Sequence, residues 1–340
     1  MHHAPLRSSL LVLFAMILGC GSSSGSVDDD GAGGASATGS GSGTETGSGG
    51  DLISTSASGG PADSGCQKVD FLFIIDNSVS MEGEQSALIQ SFPGFIEAIQ
   101  TTLDENVDYH ILVADTDDWG RCTESNCMTG DMDADELCVA AADGYACKTP
   151  RNACDETIGA GVVHPMGAGA SNHVCSVEAG RRYLLGTDAE LSDTFACMAQ
   201  VGLAGNPAER PMDSLVAAVS DDLNEAGACN DGFLRDDAIL VVTFITDDPH
   251  YEDAGTPADW YQAVLAAKGD MADAVVVLGL TPNFPECDVG GMHGQHWSDF
   301  IALWGAHGME GPVCSEGYTD FFQDAVAIID SACDEFEPPK

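Results

Sequence analysis

Val69-Asp70-Phe71-Leu72-Phe73-Ile74-Ile75-Asp76-Asn77-Ser78-Val79-Ser80-Met81, residues 69–81, is the stretch that decides the fold. Its first eight residues are a nearly continuous apolar run closed by an acid, as expected of a central strand in a parallel sheet covered on both faces. The run then breaks into Asp76-x-Ser78-x-Ser80. Spacing of two sets a carboxylate and two hydroxyls along one side of a tight loop. Residues 83–103, GEQSALIQSFPGFIEAIQTTL, follow with Leu88, Phe92, Phe95, Ile96, Ile99 and Leu103 at helical spacing, and Pro93 is expected to bend or restart that helix. Strand, loop and helix make the first unit of an α/β fold.

Working outward, residues 107–115 read as a second strand that ends in Asp115, Thr116, Asp117 and Asp118. A short strand is expected at 183–185, helices at 188–201 and 211–223, and a strong strand at 238–246, AILVVTFIT, running into Asp247 and Asp248. Residues 274–280 give a further buried strand, and 298–304 and 320–333 read as helices. The alternation predicts a mainly parallel central sheet flanked by helices on both faces. Ligands in such sheets bind beyond the carboxyl ends of the strands. The strands ending at Asp76, Asp115 and Asp247 all carry acids at that edge.

Asp76, Ser78, Ser80 and Asp247 together form an all-oxygen donor set, which suits Mg²⁺ or Ca²⁺ rather than a thiophilic metal. Hydroxyl ligands leave such an ion under-neutralised and able to take an acidic group from a partner. Taken alone, the loop could equally be a helix cap and a turn. The buried strands and Asp247 decide for the cation.

With these pieces in place, the chain resembles the von Willebrand factor A domain with its metal-ion-dependent adhesion site. FLFIIDNSVSM matches the first strand and metal loop, and ILVVTFITDD matches the fourth strand with its aspartate. It also resembles a cysteine-rich, lipid-anchored group of such domains in myxobacteria and their relatives, on DNSVSMEGEQ, VDYHILVADTD, FACMAQVGLAG with ERPMDSL, and NDGFLRDDAILVVTFITDD. The resemblance implies that Ser78 and Ser80 bind the ion directly, Asp76 often through water, and Asp247 from the fourth strand. Two departures stand out. Asp248 replaces the usual glycine, and the threonine normally given before the third helix is missing from GLAGNPAERPMDSL. Glu209 is the preferred substitute; it makes the site more anionic, tilts it toward Ca²⁺ and lessens the need for a partner's acid. Asp115 and Asp117 rank second, with Asp248.

The N-terminus carries Arg7, an apolar run at 10–18 and Ile17-Leu18-Gly19-Cys20, which resembles a lipoprotein signal with Cys20 acylated. The run is shorter than the ~20 residues that span a bilayer. Residues 1–19 are thus expected to be a signal peptide. Residues 20–65, rich in Gly and Ser, form a flexible tether, and 66–340 are the folded domain with a Cys-rich insertion about 119–180. Twelve of the 13 cysteines remain after Cys20, an even number that fits disulfides in an exported protein.

A formal charge of −44 excludes nucleic acid as a partner. Within residues 66–340 no G-x-S-x-G or H-E-x-x-H pattern occurs, and the pair His293 and His296 on a Gly-rich stretch is the only dense histidine cluster there. The expectation is a non-enzymatic, cation-dependent binding or adhesion module. It would be lipid-anchored in a bacterial cell envelope, with the outer membrane as its expected place, and engage a protein or polysaccharide. One alternative is a structural subunit of an envelope or secretion complex whose metal only stabilises the fold. Another is an enzyme acting through the metal or through His293 and His296.

Overall fold

β1, Lys68–Ile75, lies at the centre of a six-stranded sheet of order β3-β2-β1-β4-β5-β6. The other strands are β2 (Asp108–Asp115), β3 (Leu184–Leu185), β4 (Ile239–Ile245), β5 (Val275–Thr281) and β6 (Gly308–Pro312). All neighbouring pairs are parallel except β2 with the two-residue β3. The computed structural model describes residues 66–103, 107–116, 152–205, 209–249, 252–287 and 294–339.

Alternation along β1 sends Phe71, Phe73 and Ile75 to one face and Leu72 and Ile74 to the other. Both faces are covered, which is why the strand reads as unbroken apolar sequence. On the first face lie α1 (Glu82–Thr102), α2 (Leu191–Ala199) and α6 (Thr319–Glu335), whose Phe92, Phe95, Phe195 and Phe322 close over Phe71 and Phe73. On the second lie α3 (Pro211–Ala218), α4 (Pro257–Ala267) and α5 (Gln295–Ala302), with Met212, Leu215, Trp260, Trp297 and Phe300 in the core. Each such buried side chain contributes roughly 1.5–3 kcal/mol. The mixed α/β class and the flanked sheet are as the alternation implies.

Several local expectations need correction. Pro93 does not restart the helix: α1 runs through it, because Pro93 is on the exposed side, where the carbonyl it leaves unpaired can meet water. The 211–223 helix ends at Ala218 and is followed by a separate turn at Asp221–Asn224. α4 went unrecognised, although Thr256-Pro257-Ala258-Asp259 is a capping box, with Asp259 N–H donating to Thr256 Oγ1 and Thr256 N–H to Asp259 Oδ2. β6, Gly-Met-Glu-Gly-Pro, carries no strand signal and is recruited at the sheet edge by pairing with β5. His296 lies in α5 rather than on a loop, its ring 4.0 Å from that of Trp297.

Disulfides join Cys66 to Cys333, Cys154 to Cys229, Cys175 to Cys197 and Cys287 to Cys314. Two of these staple residues 152–180, the described part of the expected insertion, which otherwise hold only short 3₁₀ turns. Cys20, the signal, the tether, Asp117, His293 and the first part of the insertion lie outside the described residues. Among the described residues, no helix is long and apolar enough to cross a membrane.

Candidate metal centre

In a sheet of this order the chain winds outward in both directions from β1 and β4, so the crevice between their carboxyl ends is the topological switch point. The loop after β1 and the residues after β4 meet there. Asp76 is fully buried, and the Ser78 N–H donates to its Oδ1 at 2.8 Å, folding the loop as an Asx turn. Ser78 Oγ and Ser80 Oγ lie 3.2 Å apart, and Ser80 Oγ donates to Asp247 Oδ1 at 3.0 Å.

Glu209, immediately before α3, brings a third carboxylate to the same point and is 6% exposed. One oxygen each from Asp76, Glu209 and Asp247 fall within 4.8 Å of one another. Burial raises the Glu209 carboxyl far above the usual range, reinforced by its hydrogen bond to Asp76, the charge of Asp76 and that of Asp248. Asp247 is pushed up to about 6, first by burial, then by Asp76, with Glu84 and Asp248 adding to it. No Lys or Arg among the described residues pairs with any of the three acids. Buried oxygen donors carrying excess negative charge, with two hydroxyls beside them, fit a hard divalent cation.

Of the residues expected from sequence, Asp76, Ser78, Ser80, Asp247 and Glu209 come together. Asp248 stands beside them as an added negative charge, its N–H donating to Thr246 Oγ1 at 3.2 Å. Asp115 ends β2 next to β1 but is not among the converging carboxylates; its backbone carbonyl accepts from Ser214 Oγ at 2.6 Å.

Sequence reasoning gave no role to the residues that hold this centre in shape. Thr246, fully buried, donates to Asp76 Oδ2 at 2.8 Å, and Glu209 Oε2 is 3.3 Å from the same hydroxyl. Gln85 on α1 donates to the carbonyls of Asp76 and Gly202 at 3.0 and 2.9 Å, and accepts from the Gly202 N–H. Gly205 N–H donates to the Asn77 carbonyl, and a Cβ on Gly205 would fall 2.6 Å from that same oxygen, so only glycine fits against the loop. Gln85 was findable, since an amide breaks the apolar side of α1 one turn after the serines.

Asp253 caps the helix that Glu209 precedes. Its Oδ1 accepts from the Asp213 N–H at 2.6 Å, while Asp213 Oδ1 accepts from the Ala254 N–H at 3.0 Å. Residues 40 apart thereby cap the start of α3, the helix that Glu209 precedes.

No family model and no curated protein matches this chain. Among solved structures it is similar to a von Willebrand factor type A protein from Catenulispora acidiphila, at 13% identity and TM-score 0.36, over 77% of this chain and 42% of that one. It is similar to proximal thread matrix protein 1 from the mussel byssus, at 9% identity and TM-score 0.37, over 78% of this chain and 47% of that one. It is also similar to the pilus adhesin SpaC from Lactobacillus rhamnosus GG in its open conformation, at 12% identity and TM-score 0.38, over 78% of this chain and 30% of that one. The chain thus spans less than half the length of each of these proteins.

Proposed function

We propose that this chain is a von Willebrand factor A-type binding module that holds a divalent cation, Ca²⁺ in preference to Mg²⁺, and engages its ligand through that cation. The observation that carries this reading is the convergence of Asp76, Glu209 and Asp247 at the switch point, with Ser78 and Ser80 on the same loop. The edge is open at the loop apex, where Val79 is 65% exposed.

Charge then selects the ligand. A bound ion displaces the proton of Glu209, and the three carboxylates then outweigh its charge, with Glu84 and Asp248 adding further negative potential. A partner's carboxylate meets repulsion there, whereas neutral hydroxyl oxygens complete the coordination without adding charge. A groove of about 330 Å³ begins two residues beyond Ser80, with Glu82, Ser86, Gln90 and Gln200 beside Ile89 and Leu203, and its mixed polar and apolar wall suits the hydroxyls and ring faces of a sugar chain. The favoured ligand is therefore a polysaccharide rather than an acidic protein loop. The module acts by binding, without catalysis, and is held to a bacterial envelope, at the outer membrane, through Cys20 and the tether that follows it.

Calorimetric titration of the metal-stripped full chain with Ca²⁺ and Mg²⁺, with and without acetate, tests this. Wild type should bind Ca²⁺ with no help from acetate. Glu209→Gln should bind it about tenfold or more weakly, because affinity follows ligand charge, and should become acetate-dependent. Absence of cation binding by the folded protein would overturn the reading. The almost complete burial of Asp76 and Glu209 favours a second reading, in which the ion only stabilises the fold of a subunit in an envelope or secretion complex. Partner binding that survives Asp247→Ala would support that one.

A further inference from the structure

Away from the metal centre, the disulfide between Cys175 and Cys197 lies against an acid–base group. Cys197 is on α2 and Cys175 on the stapled segment before it. Nε2 of His173 is 3.2 Å from Cys197 Sγ, and Ser171 Oγ is 3.6 Å from it. The other ring nitrogen, Nδ1, is 2.8 Å from the carbonyl of Ser171. A carbonyl only accepts, so Nδ1 carries a proton and Nε2 is the ring position free to take or give one, directly at the sulfur. His173 is exposed to solvent. Among the described residues, no other disulfide has a histidine on its sulfur.

A groove of about 620 Å³ reaches this bond from the opposite side. Cys175 lines it and Cys197 does not; Cys154 and Cys229 line it too, as do Arg181 and Arg182. Two disulfides therefore share one groove; Cys154 and Cys229 are half-buried and Cys175 and Cys197 only 4% and 8% exposed, so access favours the former and faster exchange at the latter has to come from the imidazole at Cys197. Arg181 pairs with Glu178 and Asp188 and Arg182 with Asp155, so the wall they form is close to charge-neutral in an otherwise strongly acidic protein.

We propose that Cys175–Cys197 is a thiol-exchange site for small aliphatic thiols. The thiolate enters the groove and forms a bond to Cys175 Sγ. The Sγ–Sγ bond breaks, and its electron pair leaves on Cys197 Sγ. The proton lost by the incoming thiol is carried on Nε2 of His173 and neutralises that leaving sulfur. The products are a mixed disulfide at Cys175 and a thiol at Cys197, so atoms, protons and electrons balance. Stabilising the leaving sulfur speeds such exchange. The chain leaving α2 supplies Gly202 and Gly205, which hydrogen-bond Gln85 and Asn77, so exchange frees the element that leads into the supports of the Asp76 loop.

The test is exposure of the native full chain to limiting 2-mercaptoethanol, followed by acid quenching, alkylation and peptide mapping by mass spectrometry. The adduct should appear on Cys175, with a free thiol on Cys197, about tenfold or more faster than Cys154–Cys229 opens, the margin set by leaving-group stabilisation. His173→Ala should slow the first reaction and leave the second unchanged. Equal rates for the two disulfides, an adduct on Cys197, or an unaltered rate in His173→Ala would each overturn the proposal. The wild-type comparison is an internal control that requires no variant to fold.

Discussion

The Ser80 hydroxyl donates to Asp247 Oδ1 at 3.0 Å and so bonds the loop after β1 to the end of β4, across 167 residues of chain. This is the closure that turns two strand ends into one site. Among the described residues Asp247 has no cationic partner, and it lies in a field made by Asp76, Glu84 and Asp248.

Binding a cation at this closure should stabilise the fold by mass action. At a hundredfold excess over Kd the gain is about 2.7 kcal/mol, or roughly 5–10 °C in Tm for a domain of this size. Differential scanning calorimetry with Ca²⁺ and with a chelator should show that rise in wild type and lose it in Ser80→Ala and Asp247→Ala. The Asp247→Ala protein should unfold no earlier than wild type in chelator, because repulsion has been removed. An equal rise in all three proteins would place the stabilising ions elsewhere on the acidic surface.

Asp253 should give stability a specific dependence on pH. Burial pushes its carboxyl up to about 7, opposed by the backbone N–H groups of α3 and reinforced by the charge of Asp213. The folded state thus holds a proton that the unfolded chain has already lost above about pH 4. Its contribution is fully present below that pH and fades as pH rises through about 7. Asp253→Asn keeps the acceptor that caps α3 and removes the titration. Chemical denaturation should find the variant more stable than wild type at pH 8, by on the order of a few kcal/mol, and equal to it near pH 4. Parallel pH profiles for the two proteins would refute this.

Asp70 and Arg235 form a buried pair at the other end of the sheet. Arg235 Nε donates to Asp70 Oδ1 and its backbone N–H to Oδ2, both at 2.8 Å, while Lys268 Nζ donates to the Arg235 carbonyl at 2.6 Å. Asp70 is fully buried, and burial raises its carboxyl to about 6 despite Arg235. Arg235→Met should therefore cost roughly 3–5 kcal/mol by leaving an uncompensated charge. Adding Asp70→Asn should recover a large part of that loss in urea titrations. No recovery in the double variant would mean that packing of the arginine stem, and not the pair, is what matters.

The central strands, their alternation with helices and the donor types at the strand ends are legible in the chain alone. They are legible because burial on both faces leaves a nearly unbroken apolar run, and a run of that kind at 69–75 and 239–245 has few other meanings. Asp76, Ser78 and Ser80 were legible as a unit because they are local, within five residues of one loop. Only the tertiary structure decided what joined them. Glu209 comes to the site from just before α3, whose start Asp253 caps, and Thr246, Gln85 and Gly205 matter through contacts that reach up to 170 residues along the chain. β6 and the four disulfide pairings belong to the same class. Hydrophobic periodicity reports what one segment buries, and it carries no record of which distant segment buries it.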